Sequence, residues 1–142
     1  MTTDNRKLAR IVTALRGRRI AVAGDFMLDR YIWGAASRLS PEAPVPVVDF
    51  VNDSQVAGGA GNVAANLVAL GATVLPFGVV GEDEPGRAIR ECLAAAGMAT
   101  KGLVADASRI TTVKTRIVAR QQQIVRVDHE RREPLAGPWK SC

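Results

Sequence analysis

Three prolines fall within six residues, Pro41, Pro44 and Pro46. Proline fixes φ and has no backbone N–H to donate, so this stretch excludes a helix and disfavours a central strand. The flanking residues, Tyr31, Ile32 and Trp33 before it and Val45 to Val51 after it, are too apolar for a free loop. Residues 30–56 are therefore expected to form a small extended excursion that covers something, with Val45 to Val51 as an edge strand.

Around this interruption the apolar periodicity alternates. Leu8, Ile11, Val12 and Leu15 recur at helical spacing and predict a helix over 4–17, stopped at Gly17. Ile20 to Ala23 reads as a short buried strand that ends in Gly24-Asp25. In open α/β sheets, ligands bind at that edge. After Gly58-Gly59-Ala60-Gly61, an Ala-rich helix is expected from Asn62 to Leu70, with Gly71 as C-cap. A strand over 72–80 and a helix over 84–96 follow, closed by Gly97. Residues 110–128 alternate strongly on both sides of Ala119 to Gln122 and predict a hairpin. Glu133 to Cys142 has no periodicity and reads as a non-matching tail. Helices and strands in this order indicate an α/β fold with a largely parallel sheet.

The chain has 142 residues, 47% of them hydrophobic and 23% charged, which suits one globular domain with a real core. No apolar run approaches the ~20 residues of a membrane span, and no secretory signal is visible. Cys92 and Cys142 make neither a disulfide framework nor a zinc site, and they fit a reducing cytoplasm. The net charge of +5 comes from Arg6 to Arg19 and Arg116 to Arg132. No aromatics interleave with these charges to stack bases, so a solvated helix face and a basic strand pair are favoured over a nucleic-acid surface. Some of these cations could instead hold a phosphorylated small molecule.

The Gly58 to Asn62 segment is the sharpest local feature. It can bring backbone close to a ligand at a helix N-terminus, or simply pack a tight turn. It is neither a Walker A loop nor a dinucleotide fingerprint. Asp25 and Asp29 follow the first strand, where a carboxylate can accept sugar hydroxyls or cap a turn. Asp83 reads as a helix N-cap with Pro85 in the first turn. Lys114 and Arg116 leave one face of a strand, a pattern that suits a phosphate or carboxylate but also a protected edge strand. His129 has no metal-ligand partners at suitable spacing and is read as structural.

These segments together resemble the PfkB family of carbohydrate kinases, and within it the heptose 7-phosphate kinases that form part of a bifunctional kinase/adenylyltransferase. The resemblance rests on Val22 to Tyr31, on Ser37 to Val47 with its Ser-Pro-Glu-Ala-Pro-Val-Pro string, on Gly58 to Gly71, on Gly81, Asp83 and Gly86, and on Thr111 to Asp128. It implies the N-terminal part of a ribokinase-like three-layer α/β/α fold, with residues 30–56 and 110–128 building a β lid that commonly pairs into a homodimer. It implies that Asp29, Gly58, Gly59 and Asn62 contact the sugar, and that Lys114 and Arg116 reach it from the lid and hold a phosphate already on it. The implied activity is ATP-dependent phosphorylation of a heptose 7-phosphate at its anomeric hydroxyl, for lipopolysaccharide precursors, with ATP and Mg2+ serving the full-length enzyme.

The family's catalytic aspartate lies in a Gly-Ala-Gly-Asp motif that this sequence lacks; Gly59-Ala60-Gly61-Asn62 only looks similar, and asparagine cannot act as a base. The expectation is therefore a truncated domain, without catalytic, cofactor or metal residues of its own and inactive alone. A non-catalytic sugar-phosphate-binding or dimerisation module is the alternative.

Overall fold

The computed structural model describes residues 5–133, so the tail beyond Glu133 lies outside the described residues. Three helices and seven strands follow in the order α1 (Asn5–Leu15), β1 (Arg19–Ala23), β2 (Phe26–Leu39), β3 (Pro46–Gly59), α2 (Ala60–Ala69), β4 (Thr73–Gly81), α3 (Glu84–Ala95), β5 (Leu103–Asp106), β6 (Val113–Ala119) and β7 (Gln122–His129). Among the described residues no helix is long and apolar enough to cross a membrane.

The strands form two sheets. One is parallel, in the order β1-β4-β5, and the other is mixed, in the order β3-β2-β6-β7. Helices α2 and α3 cover one face of the parallel sheet. There Val22, Val74, Val80 and Leu103 meet Ala64, Ile89 and Leu93 in a continuous core. The pairing of Ala21 with Leu75 and of Ala23 with Phe77 places these four residues on the opposite face. On that face Phe77 keeps 44% of its surface in solvent.

The excursion around the prolines is larger than its composition suggests. It is a hairpin of two 14-residue strands, β2 and β3, rather than a small excursion with one edge strand over 45–51. Pro41 and Pro44 are confined to the 40–45 turn, and Pro46 opens β3, the sheet's edge strand, where a missing donor costs no ladder bond. Asp29 consequently sits within β2 and caps no turn, and Gly58 and Gly59 end β3 instead of forming a loop. The short strand β5 was not legible from periodicity, because four residues are too few to show one.

The hairpin over 110–128 is present, and its connection is a two-residue turn in which Arg120 and Gln121 have φ of 51° and 65°. Both lie in the left-handed region that Asn-Gly pairs fill without strain. Replacing Arg120 and Gln121 by Asn and Gly should therefore stabilise the chain by about 1 kcal/mol, read as a raised urea midpoint at constant m.

Candidate functional site

The register between β2 and β6 is parallel. It sets Lys114 beside Asp29 and Arg116 beside Tyr31, so all four side chains share one face of the mixed sheet. Arg116 Nη1 donates to Asp29 Oδ1 at 2.6 Å, with both side chains mostly withdrawn from solvent. The guanidinium also lies 5.3 Å from the centroid of the Tyr31 ring, and Tyr31 stacks on Trp33 at 6.0 Å. The Asp29 hydrogen bond raises the Arg116 pKa beyond its ordinary value.

Gly58 is fixed by this pair. A Cβ there would overlap the Asp29 carboxylate. Gly59 has φ of 58°, and a Cβ on it would fall 2.5 Å from Asp25 O and 2.9 Å from Met27 Cε. The strand-to-helix junction is thus built for close approach, and Ala60 N closes it by donating to Asp25 O at 2.9 Å. Gly58→Ala should push the Asp29 carboxylate off Arg116 and cost about 1–3 kcal/mol, measurable by chemical denaturation.

Asn62 stands in the first turn of α2, where its side-chain oxygen accepts from Asn66 Nδ2 at 3.1 Å. Asp29, Tyr31 and Asn62 line a cavity of about 480 Å³ with Val56, Ala57 and Leu93. Lys114 lines a different cavity, about 910 Å³, at the C-terminal edge of the parallel sheet with Asp25, Met27, Phe77 and Arg109. Of the six residues singled out by sequence, Asp29 and Asn62 thus line one cavity and Lys114 the other, while Gly58, Gly59 and Arg116 line neither.

Sequence reasoning missed the partners of Lys114. Its Nζ lies 3.2 Å from Asp128 Oδ2 and 3.7 Å from Glu130 Oε2. Each of those carboxylates has its own arginine: Arg126 Nε reaches Asp128 Oδ1 at 2.8 Å, and Arg132 Nη2 reaches Glu130 Oε1 at 2.6 Å. The second basic cluster is thus interleaved with carboxylates.

The hydrogen bond from Arg126 holds the Asp128 carboxyl below its ordinary value, and that from Arg132 does the same for Glu130. For Asp83, burial pushes upward, but hydrogen bonds from Thr111 and Gly86 outweigh it and the carboxyl is lowered. A carboxyl depressed on folding stabilises the chain above its unfolded pKa, and that gain is lost as pH falls through the folded value. Urea midpoints should therefore be flat from pH 7 to 5 and fall below about pH 4. Asp83→Asn should flatten that fall. The described residues contain no group of three or more His, Cys, Asp or Glu able to hold a metal ion.

Comparison with known proteins gives a consistent picture. The pfkB family carbohydrate kinase profile matches residues 18–138. The bifunctional protein HldE of Pelobacter propionicus is 50% identical over 134 residues, 94% of this chain and 28% of the relative. HldE of Helicobacter pylori is 49% identical over 118 residues, 83% of this chain and 26% of the relative. The chain thus spans about a quarter of the length of these curated relatives. Among solved structures, a putative ribokinase from Agrobacterium tumefaciens superposes with a TM-score of 0.64 at 21% identity, covering 87% of this chain and 41% of that one. Arabidopsis thaliana ribokinase complexed with ribose and ATP gives 0.61 at 20% identity, over 80% of this chain and 36% of its own. Similarity at that level establishes a shared fold.

Proposed function

This chain belongs to the pfkB family of carbohydrate kinases, and from that membership we propose that it is the sugar-binding part of an ATP-dependent kinase acting on a heptose 7-phosphate in lipopolysaccharide precursor synthesis. The observation that carries the reading is the Asp29–Arg116 pair at 2.6 Å, set beside Gly58, with Asp29 in one cavity wall with Asn62. Arg116 occupies Asp29 Oδ1 and orients the carboxylate, leaving its other oxygen to accept sugar hydroxyls. Gly58 makes room for the Asp29 carboxylate and Gly59 for the Asp25 carbonyl, and Asn62 adds a donor and an acceptor at the helix N-terminus. Lys114 is the cation for the phosphate already on the sugar; the arginines that neutralise Asp128 and Glu130 leave its charge available.

ATP supplies the transferred phosphoryl group in the parent reaction, with Mg2+ as its counter-ion. The described residues offer no metal-ligating set for the Mg2+. The mixed sheet also exposes Leu39, Phe50 and Val51 at 67%, 64% and 66%, which favours a homodimer formed through this lid. In sedimentation, Phe50→Ser should then weaken the association that runs through the lid.

Calorimetric titration without nucleotide tests the sugar reading. The chain is expected to bind heptose 7-phosphate at least about tenfold more tightly than the unphosphorylated heptose, and Lys114→Ala should remove most of that difference. Equal affinity for the two sugars, or binding of neither, would overturn it.

A further inference from the structure

The antiparallel pairs of the lid have their registers set by the connections at 40–45 and 120–121. The parallel pair β2–β6 has no such connection, because residues 40–112 intervene. Something else must fix its register, and one buried cluster stands where β6 begins. Thr111, with 2% of its surface exposed, precedes β6 by two residues. Its N–H donates to Asp83 Oδ2 at 2.7 Å and its hydroxyl donates to Asp83 Oδ1 at 2.6 Å. The same hydroxyl accepts from Gly81 N at 2.8 Å, and Asp83 Oδ1 also accepts from Gly86 N at 2.9 Å. On the other side, Thr112 O accepts from the buried Leu28 N at 2.9 Å, next to the first ladder pair Leu28–Val113.

We propose that Asp83 and Thr111 form a clamp between the β4–α3 turn and the lid that fixes the register of β6 on β2, making both of them positioning residues for Lys114 and Arg116. Side chains alternate along a strand, so a slip of one residue would turn Lys114 and Arg116 away from Asp29 and present Val113, Thr115 and Ile117 in their place. The N-cap on Gly86 therefore uses only part of the Asp83 carboxylate; the rest reads the start of β6. The consequence for ligand binding rests on the sugar-phosphate reading above, whereas the register itself does not.

Paired cysteines measure the register directly. With Cys92 and Cys142 changed to serine, Ile32→Cys is combined with Ile117→Cys, its native neighbour, or with Val118→Cys, its neighbour after a one-residue slip. Thr111→Val keeps the shape and removes the hydroxyl. It should lower native-pair oxidation about tenfold and raise the slipped pair, as should Asp83→Asn, while Thr111→Ser should match the parent. Amide exchange of the β1–β4 ladder should stay protected throughout. An unchanged native pair in both variants, or loss of the β1–β4 ladder along with it, would overturn the clamp. A slipped register with unchanged affinity for heptose 7-phosphate would leave the clamp standing and count against the role given to Lys114 and Arg116.

Discussion

Asp29→Ala is expected to weaken heptose 7-phosphate binding by about a hundredfold or more, the largest loss from any single change at the site. Among the described residues, the carboxylate is the one acidic group that meets both Arg116 and the cavity wall with Asn62. Removing it deletes the acceptor for sugar hydroxyls and also leaves the Arg116 guanidinium without its ion-pair partner. Arg116→Ala should cost less, about tenfold, because Asp29 keeps its place against Gly58 and can still accept hydroxyls, although less well oriented. Asp29→Asn should fall between the two: the amide retains one acceptor but turns a donor toward either Arg116 or the sugar. Titration calorimetry on the purified chain orders the three variants. A loss of less than about threefold for Asp29→Ala would remove Asp29 from the site.

What could be read before folding was set by local patterns. The helices, the first strand, the Asp83 cap with Pro85 and the 110–128 hairpin each announce themselves within a few residues, and each is found. The shared face of Lys114 and Arg116 was legible too, since it needs only the alternation of a strand. The partners of those cations were not. Counted from a two-residue turn at Arg120-Gln121, Lys114 would face Val127. A bulge between Ile117 and Val118 shifts the ladder by one and brings Asp128 opposite Lys114 instead. Likewise, nothing local places Arg116 against Asp29, 87 residues away. That contact depends on a parallel register which only the folded chain supplies. The full length of β2 was hidden for a different reason: Gly34 and the bulges near Trp33 and Ala36 blur its alternation.

Residues 1–142 alone are expected to transfer phosphoryl groups at least about ten-thousandfold more slowly than a full-length pfkB kinase, because a general base and the groups that stabilise the phosphate in flight each contribute factors of a hundred or more. The sequence has no Gly-Ala-Gly-Asp motif, and the six proposed site residues include no carboxylate free of a cation partner to take a proton. The sheet gives an independent reason. Parallel sheets are stable when both faces are covered. Here α2 and α3 cover one, while Ala21, Ala23 and Phe77 lie on the other, and β1 and β5 are both edges of a three-stranded sheet. With Phe77 exposed on that face, the isolated chain should self-associate through it, and Phe77→Lys should reduce that association without affecting binding at Asp29. A coupled ADP-release assay with heptose 7-phosphate decides the first point: turnover by the purified chain within about a hundredfold of a full-length relative would show that these residues carry the chemistry as well as the sugar site.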